Sequence, residues 1–334
     1  MANLKSTTIN DTGFLQLPSG TTAERPQSPT ASEIRFNTDT KVCEWYDSEL
    51  DSWFPTGVIP PVATGGDTVE DVDIDGVTYR IHSFTTVGSS DFTVTRGGLV
   101  DYLLVAGGGG GAAAGGGAGG LLHGRSIIHS QTYSIFVGEG GSAGDSPFGS
   151  SRGLNGKNSS FLNLTALGGG GGGAQQNTGR AGGSGGGCGT NEGSLGGAGT
   201  PGQGNPGGFA PNTSRPNSTG GGGGAGEPGG DSTRAVGGNG GTGIFLGNLF
   251  GSSLGENGFF AGGGAGGPTN PTSSAPEGTA GSPGLGGGAG GNELNVSGRQ
   301  AMPNTGGGGR HGDDHSNNPG NGGSGIVIIR YRIS

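Results

Sequence analysis

The sequence predicts an all-β protein in which a small β-meander precedes a β-sandwich that carries long glycine-rich loops. Three observations support this fold class. Most of the 88 glycines lie after residue 98, the strand-like run VDYLLVA leads into the glycine-rich region, and a second run, GIVIIRYRI, follows it. A flexible linker has no reason to be enclosed by two buried strands, so the glycine-rich region is expected to fold against them.

The β-meander is expected in residues 1–57, where apolar and polar residues alternate around Ile34, Trp45 and Phe54. Alternation with a period of two is typical of strands, and the sequences NTDT and DSELD supply turns between them. The sequence VIPPVATGGD at residues 58–67 predicts a linker, because proline and glycine interrupt regular structure.

The glycine-rich β domain is expected in residues 68–334. Its strand frame comprises residues 68–167 and 325–333, and its glycine-rich loops comprise residues 107–120 and 168–324. The Asp-Gly pair in DIDGV predicts a hairpin turn within the frame. The last strand is expected to pair beside an early one, so that the long loops leave the sandwich largely from one end.

The glycine content permits an interior built from backbone. Glycine has no Cβ, so threefold polyglycine II helices can approach closely and hydrogen-bond to neighbours on all sides. Ordering glycine costs about 0.5–1 kcal/mol more than ordering alanine, and a lateral hydrogen bond returns about 0.5–1.5 kcal/mol. Only a dense bundle offsets that cost. Composition leaves open whether the loops adopt this conformation; collagen is excluded because glycine does not recur strictly at every third residue.

Charge and composition exclude several functions. The formal net charge is −9 and no basic patch is visible, which argues against a nucleic-acid partner. Neither a signal-peptide core nor an apolar run long enough for membrane insertion is present, so we expect synthesis in a cytoplasm. We expect no enzyme, no catalytic residue and no cofactor, because so glycine-rich a chain is poorly suited to a rigid pocket. The roles of Cys43 and Cys188 stay open.

The sequence DVDIDG resembles the start of a calcium-binding EF-hand loop, with Asp71, Asp73 and Asp75 at alternate positions before Gly76. The twelfth position of such a loop is His82 rather than glutamate, and no helices flank it. A hairpin with solvent-facing aspartates explains the pattern better than a calcium site. We therefore predict no metal here.

The sequence RHGDDHS brings His311, Asp313, Asp314 and His315 together on an expected loop. Such a cluster can bind a transition metal, contact a sugar, or simply be an exposed polar loop. We take these four residues and Phe209 as candidate receptor contacts, since an aromatic ring in a glycine-rich loop can stack on a ligand. The other aromatic residues are expected to fill gaps between glycine helices or protomers: Phe245, Phe250, Phe259 and Phe260.

Two stretches resemble known modules. LQLPSGTTAERPQSPTASEIRFNTDTKVCEWYD, with a later SWF, is similar to a short module of tail-fibre and other virion proteins of tailed bacteriophages. The framing segments YRIHSFTTVG, VDYLLVAGGGGG, YSIFVGEGG and GGSGIVIIRY resemble the glycine-rich domain of phage fibre and appendage proteins. Some such tip adhesins pack polyglycine II helices in layers.

The resemblance implies a virion fibre or appendage subunit, assembled as a homotrimer, that displays an adhesin-like domain for attachment to the host. Its implied partners are other virion proteins, through the N-terminal module, and a host cell-surface glycan or outer-membrane protein. One alternative is a capsid-decorating or purely structural fibre without receptor binding. A glycan depolymerase is the other.

Overall fold

A computed structural model describes residues 16–31, 33–48, 51–56, 60–144, 150–174, 177–189, 195–210, 218–233, 236–267, 300–312 and 319–333. The chain divides into two compact units, Met1–Ile59 and Pro60–Ser334. The structure is almost entirely β, as the sequence predicts.

The first unit is a four-stranded sheet. Its strands are β1 (Ser19–Gly20), β2 (Ile34–Asn37), β3 (Val42–Asp47) and β4 (Ser52–Pro55), hydrogen-bonded in that order. Strands β2, β3 and β4 are consecutive and antiparallel, which confirms the meander, whereas β1 pairs with β2 in parallel.

The two faces of this small sheet differ in polarity. On one face, Glu44 is 2% exposed and accepts two hydrogen bonds from Arg25, at 2.6 and 3.2 Å. The guanidinium of Arg35 lies 3.7 Å from the same carboxylate. On the other face, Trp45 pairs with Phe54 across the strands, with ring centroids 5.8 Å apart. The charged groups therefore lie on the buried face, and each face carries one aromatic pair.

The second unit is a sandwich of two five-stranded sheets. The first sheet has the order β10-β9-β16-β7-β6, and the second has the order β13-β12-β11-β8-β5. Their bounds are β5 (Val62–Thr64), β6 (Thr68–Ile74), β7 (Val77–Phe84), β8 (Gly88–Arg96), β9 (Gly98–Val105), β10 (Leu121–Ile128), β11 (Gln131–Val137), β12 (Ser159–Phe161), β13 (Leu164–Ala166) and β16 (Ile326–Arg332). Strand β5 lies inside the segment that the sequence predicts to be a linker, where it pairs with β8.

The last strand lies at the centre of the first sheet. Strand β16 is antiparallel to both β7 and β9, and six of its seven residues are buried. This confirms that the last strand pairs beside an early one. The core between the sheets contains aromatic rings in edge-to-face contact, including Phe92 with Phe84 at 6.1 Å and Phe92 with Phe161 at 6.2 Å.

A buried histidine lies in this core. His82 is 0% exposed; its Nδ1–H donates to the Gly65 carbonyl at 2.7 Å, and the Tyr331 hydroxyl donates to Nε2 at 3.0 Å. A carbonyl only accepts, so Nδ1 carries the proton and Nε2 is the acceptor in this arrangement. Burial lowers the pKa of His82, which keeps the ring neutral.

A short segment covers the outer face of the first sheet. It consists of β14 (Ile244–Phe245), α1 (Gly247–Phe250) and β15 (Phe259–Phe260). Phe250 and Phe260 are buried against aliphatic residues of the sheet, whereas Phe245, also expected to fill a gap, is 42% exposed. Arg330 of β16 lies beneath the segment, 4.2 Å from the Tyr79 ring and paired with Asp101 at 2.8 Å.

The described glycine-rich residues form a bundle of extended helices that continue the strands. Strand β9 runs directly into residues 106–112, and residues 114–120 run into β10. In the first helix, backbone N–H groups three residues apart donate to the same neighbour: Gly107 and Gly110 bond to the helix of residues 151–157. A period of three residues is that of polyglycine II.

The bundle, here called the glycine lattice, is hexagonal. Its helices are residues 106–112, 114–120, 138–144, 151–157, 168–174, 177–182, 183–189, 195–199, 204–210, 218–225, 229–233, 236–243, 261–267, 306–312 and 319–325. The 106–112 helix donates to three neighbours and accepts from three others. The conformation left open by composition is therefore the threefold helix.

Close approach makes glycine necessary inside the lattice. A Cβ added to Gly109 would overlap the carbonyl oxygen of Gly170, and one added to Gly185 would overlap that of Gly197. Both carbonyls belong to adjacent backbones that cannot move independently of their own neighbours. The interior therefore admits almost no side chain, and its cohesion comes from lateral hydrogen bonds.

Candidate functional site

The described residues contain no cluster of histidine, cysteine, aspartate and glutamate that could hold a metal ion. The aspartates of DVDIDG belong to the hairpin between β6 and β7, as predicted. Asp75 and Gly76 form its turn with φ of 53° and 76°, and the Asp73 carboxylate accepts the Gly76 N–H at 2.9 Å. Asp71 is paired with Arg80 at 2.8 Å. These carboxylates stabilise the hairpin.

The glycine lattice has two unlike ends. At one end its helices join the strands of the sandwich, because β9, β11 and β13 lead into it and β10, β12 and β16 lead out. We call the opposite end the distal end. The last described residues before several undescribed segments lie there, as the lattice register shows: Gly144, Ala174, Gly189, Ala210, Gly267 and Gly312.

The centre of the distal end is closed by a turn of three alanines. Ala112, Ala113 and Ala114 connect the first two helices and are 0% exposed. The buried hydroxyl of Thr219 donates to the Ala113 carbonyl at 2.7 Å and accepts the Gly267 N–H at 3.0 Å. The Thr219 hydroxyl therefore links the 218–225 helix to the alanine turn and to the end of the 261–267 helix by hydrogen bonds.

His311 is in a different place from the one the sequence suggests. Its ring is 1% exposed and packs against Gly267, whose missing side chain leaves the room that the imidazole fills. The expectation of an exposed receptor contact at His311 is therefore wrong for this side chain. Asp313, Asp314 and His315 lie outside the described residues.

Phe209 is 38% exposed on the outside of the 204–210 helix. Its backbone N–H donates to the Asp231 carboxylate of the adjacent helix at 2.9 Å. The structure therefore leaves this ring available to a partner, but it does not bring Phe209 together with His311.

Rows of outward-facing side chains are the feature that sequence reasoning missed. Outer helices carry a non-glycine residue at every third position, in the sequences LGGA at 195–198, PGGF at 206–209 and PGGD at 228–231. Those positions face solvent, and the intervening glycines face the lattice. The repeat G-G-x is the signal that could have identified both the helices and their exposed rows.

Polar side chains satisfy the backbone where the lattice lacks a neighbouring helix. The side-chain oxygen of Asn155 (Oδ1) accepts the Gly171 N–H at 3.1 Å, and its side-chain nitrogen (Nδ2) donates to the Ala181 carbonyl at 2.8 Å. Asn158 accepts the Gly168 N–H at 2.9 Å in the same way. These side chains provide the hydrogen bonds that a neighbouring helix would otherwise provide.

The remaining chemically notable groups are structural. Cys188 is fully buried, and burial raises the pKa of its thiol to about 11, so the reactive thiolate is scarce at neutral pH. A shallow cavity of about 230 Å³ lies beside Gln203 and Asn205. Both side chains already hydrogen-bond to the backbone: Gln203 to Leu167 and Thr165, and Asn205 to Gly224 and Ala225.

A family model described as a glycine-rich domain matches residues 85–332, which cover the lattice and the sandwich strands from β8 onwards. No curated protein matches the chain. Among the described residues, no helix has the length and apolar character that crossing a membrane requires.

Proposed function

The chain belongs to the glycine-rich domain family, and from this premise we propose that it is a structural subunit of a phage virion fibre or appendage, with the distal end of its lattice turned towards the host. One observation carries the proposal. A scaffold bonded through its backbone holds the ends of many connecting segments at one end of the unit. Segments anchored in this way can change sequence without disturbing the scaffold's interior, which suits recognition of variable surfaces.

The first unit supports attachment to other virion proteins. Its sequence resembles a module of phage virion proteins, and its sheet leaves an aromatic pair, Trp45 and Phe54, on a half-exposed face. Aromatic residues are enriched where proteins meet. We assign this unit the particle-binding role and the glycine-rich unit the outward role.

Assembly as a homotrimer is part of the proposal, because several copies multiply weak contacts with a host surface. Light scattering of the purified chain should give about three times 32.1 kDa. A folded monomer at micromolar concentration would contradict trimeric assembly without bearing on the lattice itself.

Adsorption tests the receptor role. Full-length protein is labelled and sedimented with bacterial cells that the corresponding phage infects; it should bind and compete with the phage for adsorption. The triple variant Asp313→Ala/Asp314→Ala/His315→Ala should bind at least about tenfold more weakly if these side chains touch the receptor. The control Glu227→Ala changes an exposed residue in a turn at the sandwich end and should bind like wild type.

The outcomes separate the candidate functions. Incorporation into virions without any cell binding would leave a purely structural fibre and refute the receptor role. Release of reducing sugars from host glycans would indicate a depolymerase instead. Equal loss of binding in the triple variant and the control would reject the assignment of binding to the distal end.

A further inference from the structure

Two outer helices of the lattice form a flat edge. The 195–199 and 204–210 helices run antiparallel, with the Gly207 N–H donating to the Gly197 carbonyl at 3.0 Å. This register places Leu195 opposite Phe209 and Ala198 opposite Pro206. Leu195 is 68% exposed and Phe209 38% exposed. We call these four residues the outer edge.

An outer helix of a hexagonal lattice faces positions where a further helix could pack. Interior helices such as 183–189 exchange hydrogen bonds with neighbours on every side. A helix at the boundary has backbone groups directed away from the lattice, as the edge strand of a β-sheet has. A glycine-rich segment from a second copy of this chain has the backbone geometry to occupy such a position, since every copy carries many such segments.

The 204–210 helix of the outer edge lacks the free donors that this addition requires. Pro206 has no N–H, and the N–H of Phe209 is already donated to the Asp231 carboxylate at 2.9 Å. Pro228, three residues before Asp231 on the next helix, has no N–H either. The outward-facing donors of the 204–210 helix are thus removed or satisfied within the chain.

The outer edge also lacks the space that this addition requires. Lattice neighbours lie so close that a Cβ on Gly207 would overlap the Gly186 carbonyl, and one on Gly208 would overlap that of Gly230. The outward positions of the outer edge all carry a Cβ. The backbone of an added helix would therefore overlap the Cβ atoms of all four outer-edge residues.

We propose that the outer edge is closed against the lateral addition of a threefold helix from a second copy of this chain. Its side chains act through their Cβ atoms, which keep another backbone at a distance, and, on the 204–210 helix, also through the loss of outward N–H groups. Lateral growth of the lattice from molecule to molecule is thereby prevented, while the chain keeps an interior made of the same glycine-rich sequence.

Two matched variants test this. Pro206→Gly/Phe209→Gly/Asp231→Ala restores the outward N–H groups and removes both Cβ atoms. Pro206→Ala/Phe209→Ala/Asp231→Ala restores the same N–H groups and keeps the Cβ atoms. By light scattering over a concentration series, the glycine variant should reach at least about twice the wild-type mass, and the alanine variant should keep the wild-type mass.

A second pair guards against a variant that fails to fold. Leu195→Gly/Ala198→Gly changes the neighbouring helix, and Leu195→Ala is its control; the same contrast in mass is expected. Protection of the Gly197 and Gly207 amides from exchange verifies that each lattice is intact. A folded glycine variant with the wild-type mass would overturn the proposal, as would equal association of glycine and alanine variants.

Discussion

Replacing Gly109 with alanine tests whether the lattice is held by backbone contact. The new Cβ would overlap the Gly170 carbonyl, so the 168–174 helix must move away from the 106–112 helix. That movement weakens three hydrogen bonds of 2.8–2.9 Å, namely Gly169 to Gly107, Gly172 to Gly110 and Gly117 to Gly170. Each is worth about 0.5–1.5 kcal/mol, and overpacking adds about 1–3 kcal/mol. The lower entropy of the unfolded chain returns only about 0.4–1 kcal/mol.

The expected loss for Gly109→Ala is therefore about 1.5–7 kcal/mol in the free energy of unfolding. Gly124→Ala is the matched control, because the three atoms nearest to a Cβ there all belong to the side chain of Tyr102, the nearest being its hydroxyl at 2.9 Å. That ring can shift, so the control should be neutral or slightly stabilising. Urea unfolding followed by far-ultraviolet circular dichroism measures both. Equal midpoints for the two variants would refute the account of a lattice closed by backbone contact.

Three further predictions concern single residues. Burial lowers the pKa of His82 in the folded protein, so at pH values between that pKa and the ordinary pKa of 6.5 the unfolded chain binds more protons than the folded one. The free energy of unfolding should therefore fall as the pH decreases through this range. His82→Gln should make the urea midpoint depend less on pH. Glu44→Ala should destabilise the first unit by about 3–5 kcal/mol, because Arg35 stays buried without its carboxylate; the fluorescence of the two tryptophans, both in that unit, reports the unfolding, and a loss below about 1 kcal/mol would contradict it. Cys188 should resist alkylation at pH 8 in the folded protein while partly exposed Cys43 reacts; equal rates would show that the lattice opens readily.

The strand frame could be predicted because its residues differ from their surroundings. The run VDYLLVA corresponds to β9 and GIVIIRYRI to β16, both enriched in branched apolar residues beside long glycine runs. The Asp-Gly hairpin followed from turn chemistry alone. In each case the local sequence specifies the local structure.

The arrangement of the lattice could not be predicted in the same way. A run such as Gly107 to Gly111 is identical at every position, so nothing in it indicates which neighbour each residue will meet. The placement of His311 failed for a related reason. A histidine between arginine and glycine reads as an exposed loop residue, but the room for its ring is created by Gly267, which lies far away in the sequence.

The central position of β16 has a consequence for how the chain reaches its native state. Its partner β9 ends at Val105, and every glycine helix from residue 106 to residue 325 lies between the two in sequence. Until β16 is in place, the pair β10-β9 and the pair β7-β6 have no strand between them, and the first sheet is incomplete. Contacts between residues distant in sequence slow folding, so we expect this chain to fold slowly. The edges of β7 and β9 stay unpaired during that time and are exposed to aggregation.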